Sequence, residues 1–490
     1  MPPALVREQL RDGRGRCALA AQRVAAGTCV LQTRALAAIS VTSCNWCFAS
    51  ASASGGGSAR LSRCGGCRRL RYCSAACQRR DWIDGGHARE CGAWKRIPAS
   101  VRDAALQTVL LVARLVAAGA HKQPEVAQLR AHYEEHAEAK LQQFREMALL
   151  VRSLLPAVDY PTDDALLRDT VQLLCRVNCN AFTISDDACA PVGIGVFPHG
   201  ALFNHSCAPN CVVSFAGQDM RVRAIADVAP DDELTISYVE LLETTATRQQ
   251  ALRESYFFDC DCARCATATT GANDDDWFLD GHTCPSSGAA ACGTEGVVVF
   301  CDGASVASCK RCGVVRSLPN RKALEHARED LATRLRAHPP GPDKWRLCQQ
   351  QRALLVDELA LHPRNARLAA FYRDAGTWLV DAPPTAFPSR SFRATTALAM
   401  FSRELAATAW LLPATKLPAR GLLHFQIGKL QFEAARDSDS GRRDRAALEA
   451  ATDHLQRALS ILSCAYGPDN ALVSRVYTYL EEVARAARDD

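Results

Sequence analysis

The residues of this 490-residue chain best suited to chemistry are its thiols: twenty-four cysteines, most of them paired at short, regular spacings. Cys44-x2-Cys47, Cys64-x2-Cys67, Cys73-x3-Cys77 and His87-x3-Cys91 place seven cysteines and one histidine within residues 44–91. Eight such ligands make two complete four-coordinate zinc sets, and a segment this short, with little core of its own, would depend on metal to fold. Cys260-Asp-Cys262-Ala-Arg-Cys265 offers three more thiols within six residues. Structural zinc takes four protein ligands, so a fourth must come from elsewhere, and Cys207 is the best candidate. Cys284-x7-Cys292 and Cys309-x2-Cys312 offer a further set, with Cys301 left over. The clustering, together with the lack of an apolar amino-terminal signal segment, points to metal thiolates in a reducing compartment rather than to disulfides.

Cys207 sits in a polar, turn-rich knot, Phe203-Asn204-His205-Ser206-Cys207-Ala208-Pro209-Asn210-Cys211, that has neither a helix nor a strand period. Apolar alternation follows at Val212, Val213 and Phe215, at Val222, Ala224 and Ile225, and at Leu234, Ile236 and Tyr238. Gly217-Gln218-Asp219 and Pro230-Asp231-Asp232 interrupt it, which predicts short antiparallel strands joined by tight turns. Upstream, Gly13-Arg14-Gly15 precedes β-type runs at Cys29–Gln32 and Ala37–Val41, and residues 177–200, opening with Asn178-Cys179-Asn180-Ala181-Phe182, also read as β. Between them the spacing from Ala93 to about Arg176 is helical, as in Leu106, Val109, Leu110 and Ala113, and in Leu141, Phe144, Met147 and Leu150. Cys175, Cys179 and Cys189 lack metal spacing and read as buried small apolar residues. Ala49–Ala59, almost wholly Ala, Ser and Gly, reads as a flexible insertion. From about Lys322 onward the chain is helix after helix, including Gly421–Ala435, Asp444–Tyr466 and Ala471–Ala487, with a break at Pro383–Pro388.

Asn204-His205-Ser206-Cys207-x-Pro209-Asn210-Cys211, then Asp232-Glu233-Leu234-Thr235-Ile236-Ser237-Tyr238, then Cys260-x-Cys262-x2-Cys265 resemble the catalytic core and post-SET tail of SET-domain protein lysine methyltransferases. Without that resemblance the same residues describe a small β-domain with a structural zinc. Gly13-Arg14-Gly15-Arg16-Cys17-Ala18 is similar to the family's cofactor loop, although Arg16 stands where an apolar residue is commoner. The spacing within 44–91 resembles the MYND finger, whose ligands interleave: Cys44, Cys47, Cys73 and Cys77 would hold one ion, and Cys64, Cys67, His87 and Cys91 the other. A MYND finger inserted in a split SET domain resembles the SET and MYND domain (SMYD) methyltransferases. The implied architecture is α+β and multidomain: a SET amino-terminal part (1–43), the MYND finger (44–91), a helical SET insert (92–176), the SET catalytic core (177–240) and a post-SET zinc segment (241–266). A zinc-ribbon-like segment (267–318) and an all-α, tetratricopeptide (TPR)-like domain (319–490) follow.

The activity this resemblance implies is methyl transfer from S-adenosylmethionine to a lysine amine of a protein, histone or non-histone. An unperturbed lysine has a pKa of about 10.4, so the chain's tasks are to orient the amine, strip its water and let its proton go. By resemblance Tyr238 is the catalytic tyrosine, and Phe182 and Tyr256 line the lysine channel. Gly13, Arg14, Gly15, Asn180, Asn204, His205, Tyr238 and Phe258 bind the cofactor, with Phe258 stacked on the adenine. Taken singly, each aromatic would read as core and His205 as a structural histidine. Cys207 lies two residues after His205 and Cys260 two after Phe258, so one zinc on Cys207, Cys260, Cys262 and Cys265 would clamp both cofactor segments together. Three zinc ions are expected, or four if Cys284, Cys292, Cys309 and Cys312 close a site.

A net charge of +5 is small for this length and does not by itself imply nucleic acid. The basic excess is local, on Arg60, Arg63, Arg68, Arg69, Arg71, Arg79 and Arg80 of the finger, where it serves either a polyanion or solvation. In related proteins MYND fingers bind proline-rich peptides, a third use for that surface. The longest largely apolar run, Leu106 to Ala120, contains Arg114 and is too short to span a bilayer. A monomer of the nucleus and cytoplasm is expected. The rival functional class is an adaptor with an inactive SET core that recruits partners through the finger and the helical tail.

Overall fold

The computed structural model describes all residues except 1–4, 51–60, 98–102, 156–161, 187–188, 270–274, 287–291, 384–385, 388, 437–444 and 489–490. Most of the predicted flexible insertion, Arg60 and part of the Pro383–Pro388 break therefore lie outside the described residues. The chain packs as two units, Met1–Ile236 with Ala251–Asp259, and Ser237–Gln250 with Cys260–Asp490.

The first unit opens with a hairpin that the sequence reading did not find. Strands β1 (Val6–Arg11) and β2 (Gly15–Ala20) pair antiparallel, Arg11 opposite Gly15 and Val6 opposite Ala20. Four of the six residues of β1 are polar, and its two apolar ones, Val6 and Leu10, stand four apart with Glu8 between them, so it leaves little hydrophobic signal. Gly13 and Gly15 take φ of +74° and +72°, conformations that side chains with a Cβ resist, which accounts for glycine at both positions.

Strands β3 (Cys29–Arg34) and β4 (Ala37–Ile39) follow, then β5 (Ser62–Arg63) and β6 (Arg71–Tyr72) of the cysteine-rich segment. Helix α1 (Ala75–Ile83) is capped by the Ser74 hydroxyl, which accepts from the Cys77 amide at 3.2 Å. Helices α2 (His87–Trp94), α3 (Asp103–Ala117), α4 (Pro124–Ala127), α5 (Glu138–Leu154) and α6 (Asp163–Asn180) come next. Strands β7 (Ala181–Ser185), β8 (Pro191–Val196), β9 (Asn204–His205), β10 (Cys211–Ala216), β11 (Asp219–Ala224) and β12 (Thr235–Ile236) complete the sheets, before α7 (Thr245–Tyr256). Two three-stranded sheets result, β10–β11–β3 and β4–β8–β7, with antiparallel neighbours throughout.

Several expectations change. Asn178, Cys179 and Asn180 close α6 rather than opening a strand, since no Pro or Gly stops the helix before Ala181. The strand expected over Leu234–Tyr238 is only Thr235–Ile236, and its partner is parallel: Thr235 lies opposite Asn204 and Ile236 opposite His205. Alternation cannot tell parallel from antiparallel neighbours. Cys175 is buried as expected, but Cys179 is half-buried and Cys189 exposed on a turn with φ of +61°.

The cysteine-rich segment over 44–91, expected as a domain of its own, is also not separate in its packing. Cys44, Cys64, Cys67, Leu70, Tyr72, Cys91 and Trp94 share one buried cluster with Ile39, with α3 from Leu106 to Val116, and with Phe144, Leu174 and Val196. α3 is apolar around most of its circumference, as a helix packed on all sides must be, and Arg114 is the one charge set in that stretch.

The second unit continues with α8 (Ala263–Thr269), α9 (Asp275–Asp280) and two short hairpins, β13 (His282–Thr283) with β14 (Val297–Val298) and β15 (Val306–Ser308) with β16 (Val315–Ser317). Helices α10 (Arg321–Ala337), α11 (Pro342–Ala353), α12 (Ala366–Asp381), α13 (Arg390–Thr408), α14 (Pro418–Arg436), α15 (Arg445–Tyr466) and α16 (Ala471–Ala486) make it helical to the end. α14 and α15 pack closely at two glycines, where a Cβ on Gly421 or Gly428 would lie 2.8 Å from Leu462 or Leu455. No described helix is long and apolar enough to cross a membrane.

Candidate functional site

Parallel pairing of β9 with β12 lays the Asn204-His205 step beside Thr235-Ile236, and the Ser206 amide donates to the Ile236 carbonyl at 2.9 Å. Asn210 fixes the approach of the two segments. Its amide nitrogen donates to the Glu233 carbonyl (2.8 Å), and its side-chain oxygen accepts from the Thr235 amide (2.8 Å). β2 joins on the other flank, the Leu234 amide donating to the Ala18 carbonyl (2.8 Å) and the Ala20 amide to the Asp232 carbonyl (2.9 Å).

These backbone contacts gather the predicted cofactor residues of the first unit around the Gly13–Gly15 turn. Arg14 donates from Nη2 to the His205 carbonyl at 3.5 Å, and its Nε lies 3.4 Å from a Glu233 carboxylate oxygen. The Asn204 amide donates to Glu233 Oε1 (2.8 Å) and to the Arg16 carbonyl (3.1 Å). Asn180 donates to the carbonyls of Arg130 (2.9 Å) and Arg176 (2.8 Å), and the Arg130 guanidinium comes within 3.2 Å of where a Cβ on Gly15 would sit. A Cβ on Gly13 would meet no atom within 4 Å, so the turn is open on that side. Arg16, the odd residue of the loop, is tied down by Gln128 at 3.2 Å and Glu8 at 3.6 Å.

Glu233 and Arg130 had no role in the sequence reading. Glu233 was visible inside the Asp-Glu-Leu-Thr-Ile-Ser-Tyr run, but only the fold shows its nearly buried carboxylate meeting Asn204 and Arg14. The Cys17 thiol is likewise pushed up to about 11 by burial and by the Glu233 charge, so it stays protonated near neutral pH.

Among the aromatics, Phe182 packs edge-on against Phe197, with ring centroids 5.9 Å apart. Tyr256 and Phe258 flank Phe257, whose φ of +61° is held by stacking on His132 at 5.1 Å and edge contact with His136 at 4.7 Å. The Phe258 ring lies 6.2 Å from His205. Burial, with the Cys179 thiol nearby, pushes the Tyr256 hydroxyl above its ordinary value. Tyr238 is half-buried two residues beyond β12.

The donor atoms of Cys44, Cys47, Cys73 and Cys77 lie within 4.8 Å of one another, as do those of Cys64, Cys67, His87 and Cys91, and those of Cys284, Cys292, Cys309 and Cys312. Cys260, Cys262 and Cys265 converge in the same way, and the loop bearing them is shaped by Gln249, whose side chain bonds both the amide (2.8 Å) and the carbonyl (2.7 Å) of Cys260. The Cys47 hydrogen bond holds Cys44 down to about 4. Burial raises Cys309, yet the amides of Cys312 and Arg311 bring it down to about 7. Thiols converging this tightly, some biased to thiolate and their neighbours held protonated, fit a four-coordinate zinc, which would take up all four donors.

A SET-domain family matches residues 15–239. The N-lysine methyltransferase SMYD2-B of Danio rerio is 38% identical over 216 residues, which are 42% of this chain and 48% of that protein. The histone-lysine N-methyltransferase ASHR1 of Arabidopsis thaliana is 29% identical over 297 residues, 58% of this chain and 59% of its own. The histone-lysine N-methyltransferase SMYD3 of Mus musculus is 32% identical over 230 residues, 44% of this chain and 51% of its own. The chain thus spans about half the length of the curated relatives it matches.

Proposed function

We propose that this chain, a SET-domain match over residues 15–239, belongs with the SMYD proteins and transfers a methyl group from S-adenosylmethionine to a lysine side chain of a protein substrate. The observation that carries the reading is the meeting of the Gly13–Gly15 turn with Asn204, His205 and Glu233 across the parallel β9–β12 pair. When bound, S-adenosylmethionine supplies the electrophilic methyl.

The chain's own residues do the remaining work. Arg14, Asn180, Asn204 and His205, with the backbone of Gly13 and Gly15, hold the cofactor, and Phe258 covers its base. Arg130 and Glu233 belong to the same wall, Glu233 by fixing the Asn204 amide and the Arg14 guanidinium. Phe182 and Tyr256 exclude water from the amine, which favours its uncharged, nucleophilic form, and the Tyr238 hydroxyl orients it.

The finer architecture is proposed with the function: MYND finger at 44–91, post-SET segment at 241–266, ribbon-like segment at 267–318 and TPR-like helices from 319. Zinc would occupy the two finger sets, the ribbon set, and Cys260, Cys262 and Cys265 completed by Cys207. The basic finger face would serve a peptide or polyanion partner, and the protein would act in the nucleus and cytoplasm.

Calorimetric titration of the intact, zinc-replete chain with S-adenosylmethionine, followed by incubation with labelled cofactor and cell extract, tests the reading. Saturable binding and labelled lysine are expected. An adaptor would show neither.

A further inference from the structure

Arg114 enters the core from α3, is only 7% exposed, and satisfies its guanidinium on two fronts. On one front Nε lies 3.1 and 3.2 Å from the two Glu90 oxygens, and Nη2 donates to Oε2 at 2.9 Å. On the other Nη1 donates to the Ala38 carbonyl of β4 at 3.1 Å, with Asp81 at 3.5 Å beyond it. A buried charge held this completely loses much if any one partner leaves.

Each front leads to a site. Glu90 Oε2 is 4.0 Å from Nδ1 of His87, a fully buried nitrogen with no hydrogen-bond partner among the described residues, while Nε2 of the same ring points at the sulfurs of Cys64 (3.5 Å) and Cys67 (3.6 Å). An imidazole that gives Nε2 to a metal carries its proton on Nδ1, and that proton needs an acceptor. In the other direction, Ala38 lies opposite Gly195 of β8, and Gly195 opposite Phe182 of β7. Gly195 has no slack, because a Cβ there would lie 2.9 Å from Phe197 and 3.2 Å from Ile184.

We propose that Glu90 and Arg114 are positioning residues that make the Cys64–Cys67–His87–Cys91 metal set and the β4–β8–β7 sheet hold one another in place. Glu90 steadies the His87 ring on the metal, Arg114 steadies Glu90, and the same guanidinium fixes the strand behind Phe182. Loss of that one zinc loosens the wall bearing Phe182, and loosening of β4 weakens the zinc. The inference rests on the zinc reading of this set, and its consequence for catalysis rests on Phe182 lining the lysine channel.

Glu90→Gln keeps the shape and removes the charge. In the zinc-loaded full chain, chromogenic chelator competition is expected to release one zinc equivalent roughly 10–100-fold faster than in the parent, with the other equivalents unchanged. Backbone amide exchange is expected to rise in residues 37–39 and 192–196 and to stay constant in α5. His87→Cys supplies the control, since a thiolate ligand has no second N–H to place, and in that background Glu90→Gln should leave zinc release unaltered. If Glu90→Gln does not fold, Arg114→Lys carries the same measurements. Unchanged release and exchange, or acceleration equally large in the His87→Cys background, would reduce the pair to an ordinary core ion pair and overturn the proposal. None of these readouts needs methyl transfer, so a chain without transferase activity would fail the proposed function while leaving this linkage standing.

Discussion

The side-chain amide of Asn204 on β9 donates at 2.8 Å to Glu233, which stands two residues before β12, and the same carboxylate lies 3.4 Å from Arg14 of the glycine turn. One nearly buried acid thus sets the position of two groups proposed to hold the cofactor.

Glu233→Gln should therefore weaken S-adenosylmethionine binding by about tenfold, the loss of one charge-assisted contact in a partly buried site. Melting temperature should change little, because β2, β9 and β12 keep their backbone bonds. Calorimetry on the variant checks it, and unchanged affinity would leave Glu233 with a purely structural role.

Tyr238→Phe should bind cofactor as tightly as the parent yet turn over at least ~100-fold more slowly, since the hydroxyl is assigned to the amine and not to the nucleoside. Single-turnover methylation of a peptide pool separates the two steps.

Elemental analysis of the reduced, purified chain should find four zinc ions. Cys309→Ser should lower the count by one without affecting S-adenosylmethionine binding, whereas Cys262→Ser should lower it by one and abolish methyl transfer. A parent count of two or fewer would contradict the ligand sets.

The helical region carries a pH signature of its own. His424 and His454 meet at 2.9 Å between ring nitrogens, and burial, with the charges of His454, Arg457 and Arg420 against that of Asp453, pushes His424 down to about 4. A folded pKa below the unfolded value of about 6.5 means that unfolding takes up a proton between those two values. Stability from this group is complete above pH 6.5 and falls as the pH drops toward 4, by on the order of 2–3 kcal/mol. His424→Gln should flatten the melting temperature of the helical region over that interval.

What could be read from the chain alone followed from local chemistry. Cysteine spacing and the Asn204–Cys211 and Asp232–Tyr238 runs are contiguous, so their residue types carry the signal directly. β1 could not be read because Glu8 interrupts the one face that carries Val6 and Leu10, its stability coming from the backbone ladder to β2. The parallel β9–β12 pair joins two residues at each end, too short for periodicity to register. Arg114 looked like no more than an interruption in an apolar run, because Glu90 and Ala38, which explain it, lie 24 and 76 residues away in sequence.

The pairing of β2 with residues 232–234 also dictates when the site can exist during synthesis. Ala18 and Ala20 bond to Leu234 and Asp232, so once β2 has been made its second edge waits for more than 200 residues before its neighbour arrives. At about 5–20 residues per second that delay lasts roughly 10–40 seconds, during which β2, whose residues Cys17–Ala20 are fully buried in the finished fold, has no native cover on that edge. A nascent chain halted before residue 232 would display an apolar strand edge without its native cover, which makes the incomplete product a substrate for chaperones.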